Sequence, residues 1–276
     1  MRRSLHSLRD LKYNKILFGD ELTIRLEDIV LMEKENKRKT LESRNIYEEV
    51  FDNRTLQALR KLISKKSFDK VNNIISTGKE GNVFEGIKGT DKCAIKIYRI
   101  ETSSFDTMFK YIDTDPRFNS MKRNKQNIVY EWTKKEYKNL KAADKAGVNV
   151  PFPISFFKNV LAMEFIGDGK AQPILKDDKE ALKDIKEIFI QTIENLHKLV
   201  YKARLVHADL SEFNMIYLKK KLYFIDMGQT VALEHIHSRE FYDRDVRNLV
   251  KFFGKHGIEV SEERFKEMVK SNDTKI

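Results

Sequence analysis

Cysteine and long apolar stretches are what this chain of 276 residues lacks. Its one cysteine, Cys93, excludes an internal disulfide and a zinc site built from thiolates, and it fits a reducing cytoplasm. The apolar runs all fall short of the ~20 residues that a membrane-spanning helix requires, and the first residues lack the apolar core of a signal peptide. We therefore expect a cytoplasmic protein without a membrane segment.

Positive charge is in excess, with a formal net charge of +11. Residues 121–145 contribute eight Lys or Arg against three acidic residues. One explanation is a lysine-rich, solvated surface, and the other is a polyanionic partner such as RNA. The cluster favours the second explanation if its side chains share one face of the folded protein.

The order of the apolar patterns predicts an α+β fold with two lobes. We expect a charged extension over residues 1–47, a small β-rich lobe over 48–162, and a hinge with a helical lobe over 163–276. In the small lobe, a helix precedes three strand-like runs separated by glycine-containing turns, "VNNIIST", "NVFEGI" and "KCAIKIYRI". Weak periodicity over 101–125 predicts a long flexible loop. With one helix inserted in the small lobe, this is the order of a bilobal, protein-kinase-like fold.

Two polar stretches follow apolar strands in the second lobe, "HADLSEFN" at 207–214 and, eleven residues later, "IDMGQ". We compared them with the protein-kinase template for phosphoryl transfer from ATP. On that template Asp209 accepts the proton of the attacking group, and Asn214 and Asp226 bind Mg²⁺ or Mn²⁺ through hard oxygen ligands. His207 would support the loop by hydrogen bonding. Taken singly, each residue also suits a turn or a cap, but the two motifs together favour phosphoryl transfer.

The stretch "STGKEGNVFEG", residues 76–86, lies between two predicted strands. Gly78 and Gly81 let the backbone approach phosphate oxygens, and Ser76 and Lys79 can donate hydrogen bonds. It is not a Walker loop, because Lys79 is followed by Glu and because a strand rather than a helix comes next. Alone this signal is weak.

A buried ion pair between a strand and a helix is the next expectation. In "CAIKIY", alternation turns Lys96 away from the side that its two isoleucine neighbours share. A solvated Lys96 is the ordinary alternative. Glu136 lies on the apolar stripe of the inserted helix, where an unpaired carboxylate would be costly, and Lys96 is its natural partner. Glu131 is the second choice because it lies off that stripe.

The stretch "LAMEFIG" lies between the two predicted lobes and suits a kinase hinge. Met163 would border the adenine of ATP, and the backbone at Glu164 and Ile166 would hydrogen-bond its edge. An ordinary core strand is the competing interpretation.

Together these motifs resemble the RIO family of atypical kinases, and closely its type-1 branch. The resemblance covers about residues 48–256 and is carried by "STGKEGNVFEG", "CAIKIYRI", "KKEYKNL", "AMEFIGDG", "HADLSEFN", "IDMGQ" and "RDVRNLVKFF". One departure is Gly81, where the family pattern leads us to expect alanine. We expect this glycine to loosen the loop without removing function.

The resemblance implies an ATP- and Mg²⁺-dependent serine/threonine kinase or ATPase that acts in maturation of the small ribosomal subunit. Its partner would be the pre-ribosomal particle, through RNA or protein. The resemblance also implies a transient phosphate on Asp226, with Asp209 as the catalytic acid or base. Autophosphorylation would fall on Ser103 or Ser104 in the flexible insert.

Only 50 residues follow Asp226, and they contain no "APE"-like segment. We therefore expect a compact helical lobe without a platform for peptide substrates, which favours an ATPase switch on a ribonucleoprotein. Two other functions stay open. One is a small-molecule phosphotransferase of the aminoglycoside-kinase type, which uses a similar pair of motifs. The other is a scaffold that binds RNA or protein and holds ATP without turning it over.

Overall fold

The computed structural model describes residues 24–25, 27–29, 51–100, 105–113, 115 and 124–274. Packing divides these residues into two units. The first holds the described residues up to 100 together with Ile154–Phe165, and the second holds those of Phe105–Pro153 and everything described from Ile166 onward. The sequence analysis places residues 105–153 in the small lobe. Their packing instead groups them with the second unit.

The first unit is built on one sheet. Its strands are β1 (Ile24–Arg25), β2 (Lys70–Thr77), β3 (Gly81–Lys88), β4 (Asp91–Tyr98), β5 (Pro153–Phe157) and β6 (Val160–Glu164), in the order β1-β2-β3-β4-β6-β5. Strands β2, β3 and β4 follow one another in antiparallel pairs, and β6 adds antiparallel to β4. The three strand-like runs of the sequence are therefore consecutive neighbours joined by short turns.

Helix α1 (Asn53–Ser64) packs on this sheet. It begins at Asp52, whose carboxylate accepts a hydrogen bond from the Thr55 backbone N–H at 2.7 Å. Leucines one helical turn apart make its inner face and join the aromatic and aliphatic core of the sheet, namely Leu56, Leu59 and Leu62 with Phe51, Phe84, Ile95 and Ile97.

The second unit is mainly helical. Its helices are α2 (Phe105–Asp113), α3 (Lys125–Lys145), α4 (Ile185–His197), α5 (Ser238–Lys255) and α6 (Glu262–Ser271), with a 3₁₀ turn at Ala181–Asp184 and a π-helical segment at Lys198–Lys202. Short antiparallel pairs join β7 (Gly167–Asp168) to β8 (Lys170–Ala171), β9 (Leu205–Val206) to β12 (Val231–Ala232), and β10 (Met215–Leu218) to β11 (Lys221–Phe224). The two polar motifs follow β9 and β11.

Helix α2 lies where the sequence predicts a loop. Met108, Tyr111 and Ile112 are buried at helical spacing, and the Tyr111 ring packs against Trp132 and Phe241. A stripe this short gives little periodic signal, and its burial depends on aromatic partners distant in sequence. Most of the other residues in 101–125 lie outside the described part, including Ser103 and Ser104.

Candidate active site

Asp209 and Asn214 are joined by hydrogen bonds within the loop that leads from β9 to β10. The Asn214 amide donates to the main-chain oxygen of Asp209 at 2.8 Å and to its Oδ2 at 3.2 Å. The Gln229 amide donates to the same Oδ2 at 3.2 Å. Because the Asn214 nitrogen is engaged in this way, its side-chain oxygen is the atom left to bind a cation.

Asp226 follows β11 and has a left-handed backbone, with φ of 59°. The backbone N–H of the preceding Ile225 donates to the backbone carbonyl of Asn214 at 3.0 Å, and this hydrogen bond joins the two motifs. Burial raises the pKa of Asp209, and the nearby Asp226 carboxylate raises that pKa further. Arg244 and the Asn214 hydrogen bond act in the opposite direction. The structure thus brings Asp209, Asn214 and Asp226 together.

The oxygen-rich character of this cluster fits a hard divalent cation. Two carboxylates that disfavour each other's ionisation gain from a cation between them, and an amide oxygen completes a donor set typical of Mg²⁺. Across the residues described, no group of three or more His, Cys, Asp or Glu side chains is placed to hold a metal ion. With two carboxylates and one amide, the cluster resembles the sites that bind Mg²⁺ together with a ligand's phosphates.

Helix α5 holds the backbone of the loop that carries Asp209. The Asp245 carboxylate accepts hydrogen bonds from the backbone N–H of Ala208 at 2.8 Å and of Leu210 at 2.9 Å. The Arg244 guanidinium donates to the carbonyl of Ala208, which has a left-handed φ of 66°. These contacts bind both the N–H and the carbonyl of Ala208, and they stabilise a left-handed backbone that is otherwise unfavourable. Burial raises the pKa of Asp245 to about 7, although its two N–H partners oppose that rise.

The sequence analysis missed Arg244 and Asp245. A signal for Asp245 was available, because this acidic residue occupies the apolar stripe of α5 between Phe241 and Leu249. A carboxylate at such a position is expensive unless it has a specific partner.

His207 is buried, and its Nε2 lies 3.0 Å from the carbonyl of Ile225. The Thr230 hydroxyl donates to the His207 carbonyl at 3.2 Å. These contacts cross between the two polar loops, which is the supporting place that the sequence predicts for His207.

Two buried side chains of α3, Lys135 and Asn139, bond to the backbone just after Asp226. The sequence analysis missed both as site residues. Lys135 is hidden in a lysine-rich run, and its burial depends on contacts with residues about 90 positions away, as the sequence separation of 93 from Gly228 shows.

In the first unit, Lys96 lies on β4 opposite Val83 of β3 and Leu161 of β6. Its neighbours Ile95 and Ile97 belong to the hydrophobic core, so alternation turns Lys96 to the other face. The side chain is only 8% exposed, which excludes a solvated surface lysine. Its Nζ lies 5.0 Å from the centre of the Tyr98 ring.

Glu136 is 1% exposed on α3 and belongs to the second unit. Its pairing with Lys96, which belongs to the first unit, stays a prediction.

Ser76, near the end of β2, and the turn residues Gly78 and Lys79 are exposed. The Gly78 N–H donates to the Gly81 carbonyl at 2.9 Å and closes this turn. Gly81 itself is buried in β3 opposite Tyr98, and a Cβ there would lie 2.4 Å from the Ile97 carbonyl oxygen. The expectation that Gly81 loosens the loop therefore needs correction, because this glycine lets β3 approach β4 closely.

The predicted hinge residues follow one another at the end of β6. Met163 is half-buried and Glu164 exposed, and they pair with Ala94 and Cys93 of β4. Ile166 is buried, and its carbonyl accepts a hydrogen bond from the Gln172 N–H at 3.1 Å.

Comparison with known families gives one clear match. The RIO domain model matches residues 82–267. The Rio1 RIO-type serine/threonine-protein kinase of Haloferax volcanii is 38% identical over 231 residues, covering 83% of this chain and 78% of that protein. The Rio1 of Thermoplasma acidophilum is 42% identical over 191 residues, covering 68% of this chain and 98% of its own length. Human serine/threonine-protein kinase RIO1 is 37% identical over 217 residues, covering 77% of this chain but only 38% of that protein.

Among solved structures, the Rio2 kinase from Chaetomium thermophilum in a complex with ADP/Mg²⁺-phosphoaspartate is similar in fold. It matches with a TM-score of 0.57 and 21% identity, covering 80% of this chain and 66% of that chain. This likeness confirms the kinase-like α+β fold. Within the described ranges, no helix combines the length and apolar character that a membrane crossing requires.

Proposed function

Because the chain belongs to the RIO family of atypical serine/threonine-protein kinases, in its type-1 branch, we propose that it transfers the γ-phosphoryl group of ATP in a Mg²⁺-dependent reaction. The observation that carries the proposal is the cluster of Asp209, Asn214 and Asp226. In that cluster the side-chain amides of Asn214 and Gln229 donate hydrogen bonds to the Asp209 carboxylate. The Asp226 carboxylate lies close enough to raise the pKa of Asp209.

Asp209 is the acid–base group of the proposed reaction. When a hydroxyl group attacks the γ-phosphorus, its proton passes to the Asp209 carboxylate, and the bond from the γ-phosphorus to the bridging oxygen of ADP breaks. When water is the attacking group, it attacks a phosphate carried on Asp226, and Asp209 accepts its proton. The amides of Asn214 and Gln229 orient the carboxylate for this transfer. The raised pKa of Asp209 makes it a better proton acceptor than an ordinary exposed carboxylate.

Asn214 and Asp226 would hold Mg²⁺, or Mn²⁺ in its place. When bound, the cation neutralises negative charge on the phosphates. The Rio2 complex with ADP/Mg²⁺-phosphoaspartate supports this assignment, since that protein is similar in fold and holds both a nucleotide and the cation.

The first unit would bind the nucleotide. Lys96, buried on the face of the sheet opposite the core, would contact the phosphates, and Glu136 would pair with it. The exposed turn with Gly78 and Lys79 would cover the phosphates, together with Ser76 of β2 and the buried Gly81 of β3. Met163, Glu164 and Ile166 would border the adenine.

We further propose that Asp226 carries a transient phosphate. A carboxylate oxygen of Asp226 bonds to the γ-phosphorus while ADP leaves, and water then hydrolyses the acyl phosphate to inorganic phosphate and the free carboxylate. The phosphoaspartate of the Rio2 complex supports this step. The sum of the two steps is ATP hydrolysis.

The proposed setting is maturation of the small ribosomal subunit, with RNA or protein of that particle as partner. A basic stripe on α3 supports a polyanionic partner. Its members recur at helical spacing and none is buried, namely Lys134, Lys138, Lys141 and Lys145. Lys134 also pairs with Glu131 at 2.9 Å.

Following γ-³²P-labelled ATP in the purified protein tests the proposed function. We expect Mg²⁺-dependent release of labelled phosphate and a protein-bound label that hydroxylamine removes, both abolished by Asp226→Asn. An acid-stable label would place the phosphate on Ser or Thr instead. Binding of ATP without any phosphate release, even with pre-ribosomal particles added, would contradict the proposal and favour a scaffold.

A further inference from the structure

Helix α3 is hydrogen-bonded to the turn that follows Asp226. Lys135 Nζ donates to the carbonyl of Gly228 at 2.8 Å and also to the carbonyl of Thr230. One helical turn along, the Asn139 amide donates to the carbonyls of Met227 and Thr230, each at 2.9 Å. We call Lys135 and Asn139 together the α3 clamp.

The clamp is fully buried, since both side chains are 0% exposed. A buried ammonium group loses its hydration, and this is costly unless other groups replace the water. Here the backbone carbonyls do so, and the Trp132 ring lies 5.3 Å from Lys135 Nζ, where its π face is attractive to a cation. A neutral, apolar side chain would fill this interior without the free energy that removing an ammonium group from water requires. Packing alone therefore does not explain a lysine at this position.

Trp132 completes the contact between α3 and the turn. A Cβ added at Gly228 would lie 2.9 Å from Trp132 Nε1, so the indole stands directly against the backbone of this glycine. Only glycine leaves room for that approach. The turn after Asp226 is therefore held both by the hydrogen bonds of the α3 clamp and by contact with the Trp132 ring.

We propose that Lys135 and Asn139 are positioning residues that fix the metal-binding carboxylate of Asp226 relative to Glu136. This rests on the proposed function, in which Asp226 binds the cation. Asp226 has a strained, left-handed backbone, and such a conformation persists only where its surroundings hold it. Glu136 is the residue after Lys135, so one rigid helix carries both the clamp and the predicted partner of Lys96.

This arrangement distinguishes the protein from kinases that are controlled by movement of the corresponding helix. In protein kinases, regulation changes the positions of that helix and of the metal-binding Asp. Here α3 cannot shift away from the turn without breaking the four buried hydrogen bonds of the clamp. The cation site and Glu136 consequently move together.

The test compares Lys135→Met with Lys186→Met, which makes the same change at an exposed position of α4. Binding of Mn²⁺ to the full chain with ADP is followed by electron paramagnetic resonance. We expect Lys135→Met to weaken Mn²⁺ binding by about 10-fold to 100-fold, as loss of a supporting residue does at other metal sites. Lys186→Met should bind Mn²⁺ like the wild type.

Trp132 supplies a second readout because it is the only tryptophan of the chain. Its fluorescence should change when Mg²⁺ and ADP bind to the wild type, and this response should be lost in Lys135→Met. Asn139→Ala removes hydrogen bonds without removing a charge, and it replaces Lys135→Met if that variant does not fold. It should also weaken Mn²⁺ binding.

Asp226→Asn, measured in parallel, distinguishes failure of the clamp from failure of the metal assignment on which it rests. If Asp226→Asn loses Mn²⁺ binding while folded Lys135→Met and Asn139→Ala keep wild-type affinity, the clamp is purely structural and this inference is wrong. If Asp226→Asn binds Mn²⁺ as the wild type does, the metal assignment itself fails, and the inference fails with it.

Discussion

The side-chain amide of Asn214 donates to Asp209 twice, to the main-chain oxygen at 2.8 Å and to Oδ2 at 3.2 Å. This contact does two things. It fixes which oxygen of Asp209 is free to accept a proton, and it turns the Asn214 oxygen away from Asp209. In the proposed reaction, one interaction thereby orients both the general base and a cation ligand.

The first prediction concerns the protonation of Asp209 in the metal-free protein. The Asn214 hydrogen bond lowers the pKa of Asp209 and the Asp226 charge raises it. Asn214→Ala should therefore raise this pKa and Asp226→Asn should lower it, while burial keeps it above the ordinary range in both. Carbon-13 NMR titration of the Asp209 carboxyl measures these shifts. Shifts of the same sign in both variants would contradict the proximity of the three residues.

The second prediction concerns the hydrogen bonds between α5 and the loop that carries Asp209. Asp245→Ala leaves two buried N–H groups, those of Ala208 and Leu210, without their acceptor. Each such loss costs about 1–3 kcal/mol, so the free energy of unfolding should fall by about 2–6 kcal/mol. Urea unfolding measures it. Asp243→Ala, at a partly exposed position of the same helix, is the control and should cost much less.

The third prediction concerns pH. Burial raises the pKa of Asp245 to about 7 from an ordinary value of 3.8, so the folded protein keeps this proton at pH values where the unfolded chain has lost it. The contribution of Asp245 to stability is therefore fully present below about pH 4 and is lost as pH rises toward about 7. Its slope is at most about 1.4 kcal/mol per pH unit.

Asp245→Asn cannot titrate, so its free energy of unfolding should change less steeply than that of the wild type across this window. Urea unfolding at pH 5 and at pH 7.5 makes the comparison. Equal slopes for the two proteins would show that Asp245 ionises in the folded state at its ordinary pKa.

The fourth prediction concerns Gly81. A Cβ at this position would lie 2.4 Å from the Ile97 carbonyl oxygen, so Gly81→Ala must push β3 away from β4. Overpacking of this kind typically costs about 1–3 kcal/mol. Gly254→Ala is a matched control, because a Cβ on this residue of α5 meets no atom within 4 Å. Thermal melting should show a lower Tm for Gly81→Ala and an unchanged or higher Tm for Gly254→Ala. The opposite order would contradict the close approach of the strands.

The residues that the sequence predicts well are those whose signal is local. The alternation around Lys96 and the spacing of Asp209 and Asn214 can be counted along a strand or a loop, and both are found where they are expected. Gly81 was misjudged because its reason for being glycine is an atom of Ile97 on the next strand.

Residues that depend on distant partners were missed. Lys135 resembles its lysine neighbours in sequence, and only the carbonyls of Gly228 and Thr230 distinguish it. Helix α2 was expected to be a loop because its stripe is short and is buried against rings of α3 and α5. Asp245 lies between these cases, since its position on an apolar stripe indicates a buried role without identifying the partner.

The most direct test of the central claim is a crystal structure with Mn²⁺ and a non-hydrolysable ATP analogue, in which the anomalous signal of manganese locates the cation. We predict one Mn²⁺ bound by the side-chain oxygen of Asn214 and a carboxylate oxygen of Asp226, at about 2.0–2.2 Å as hard divalent cations require, with Asp209 beside the γ-phosphate. Manganese bound elsewhere, with Asn214 and Asp226 directed away from the phosphates, would contradict the account.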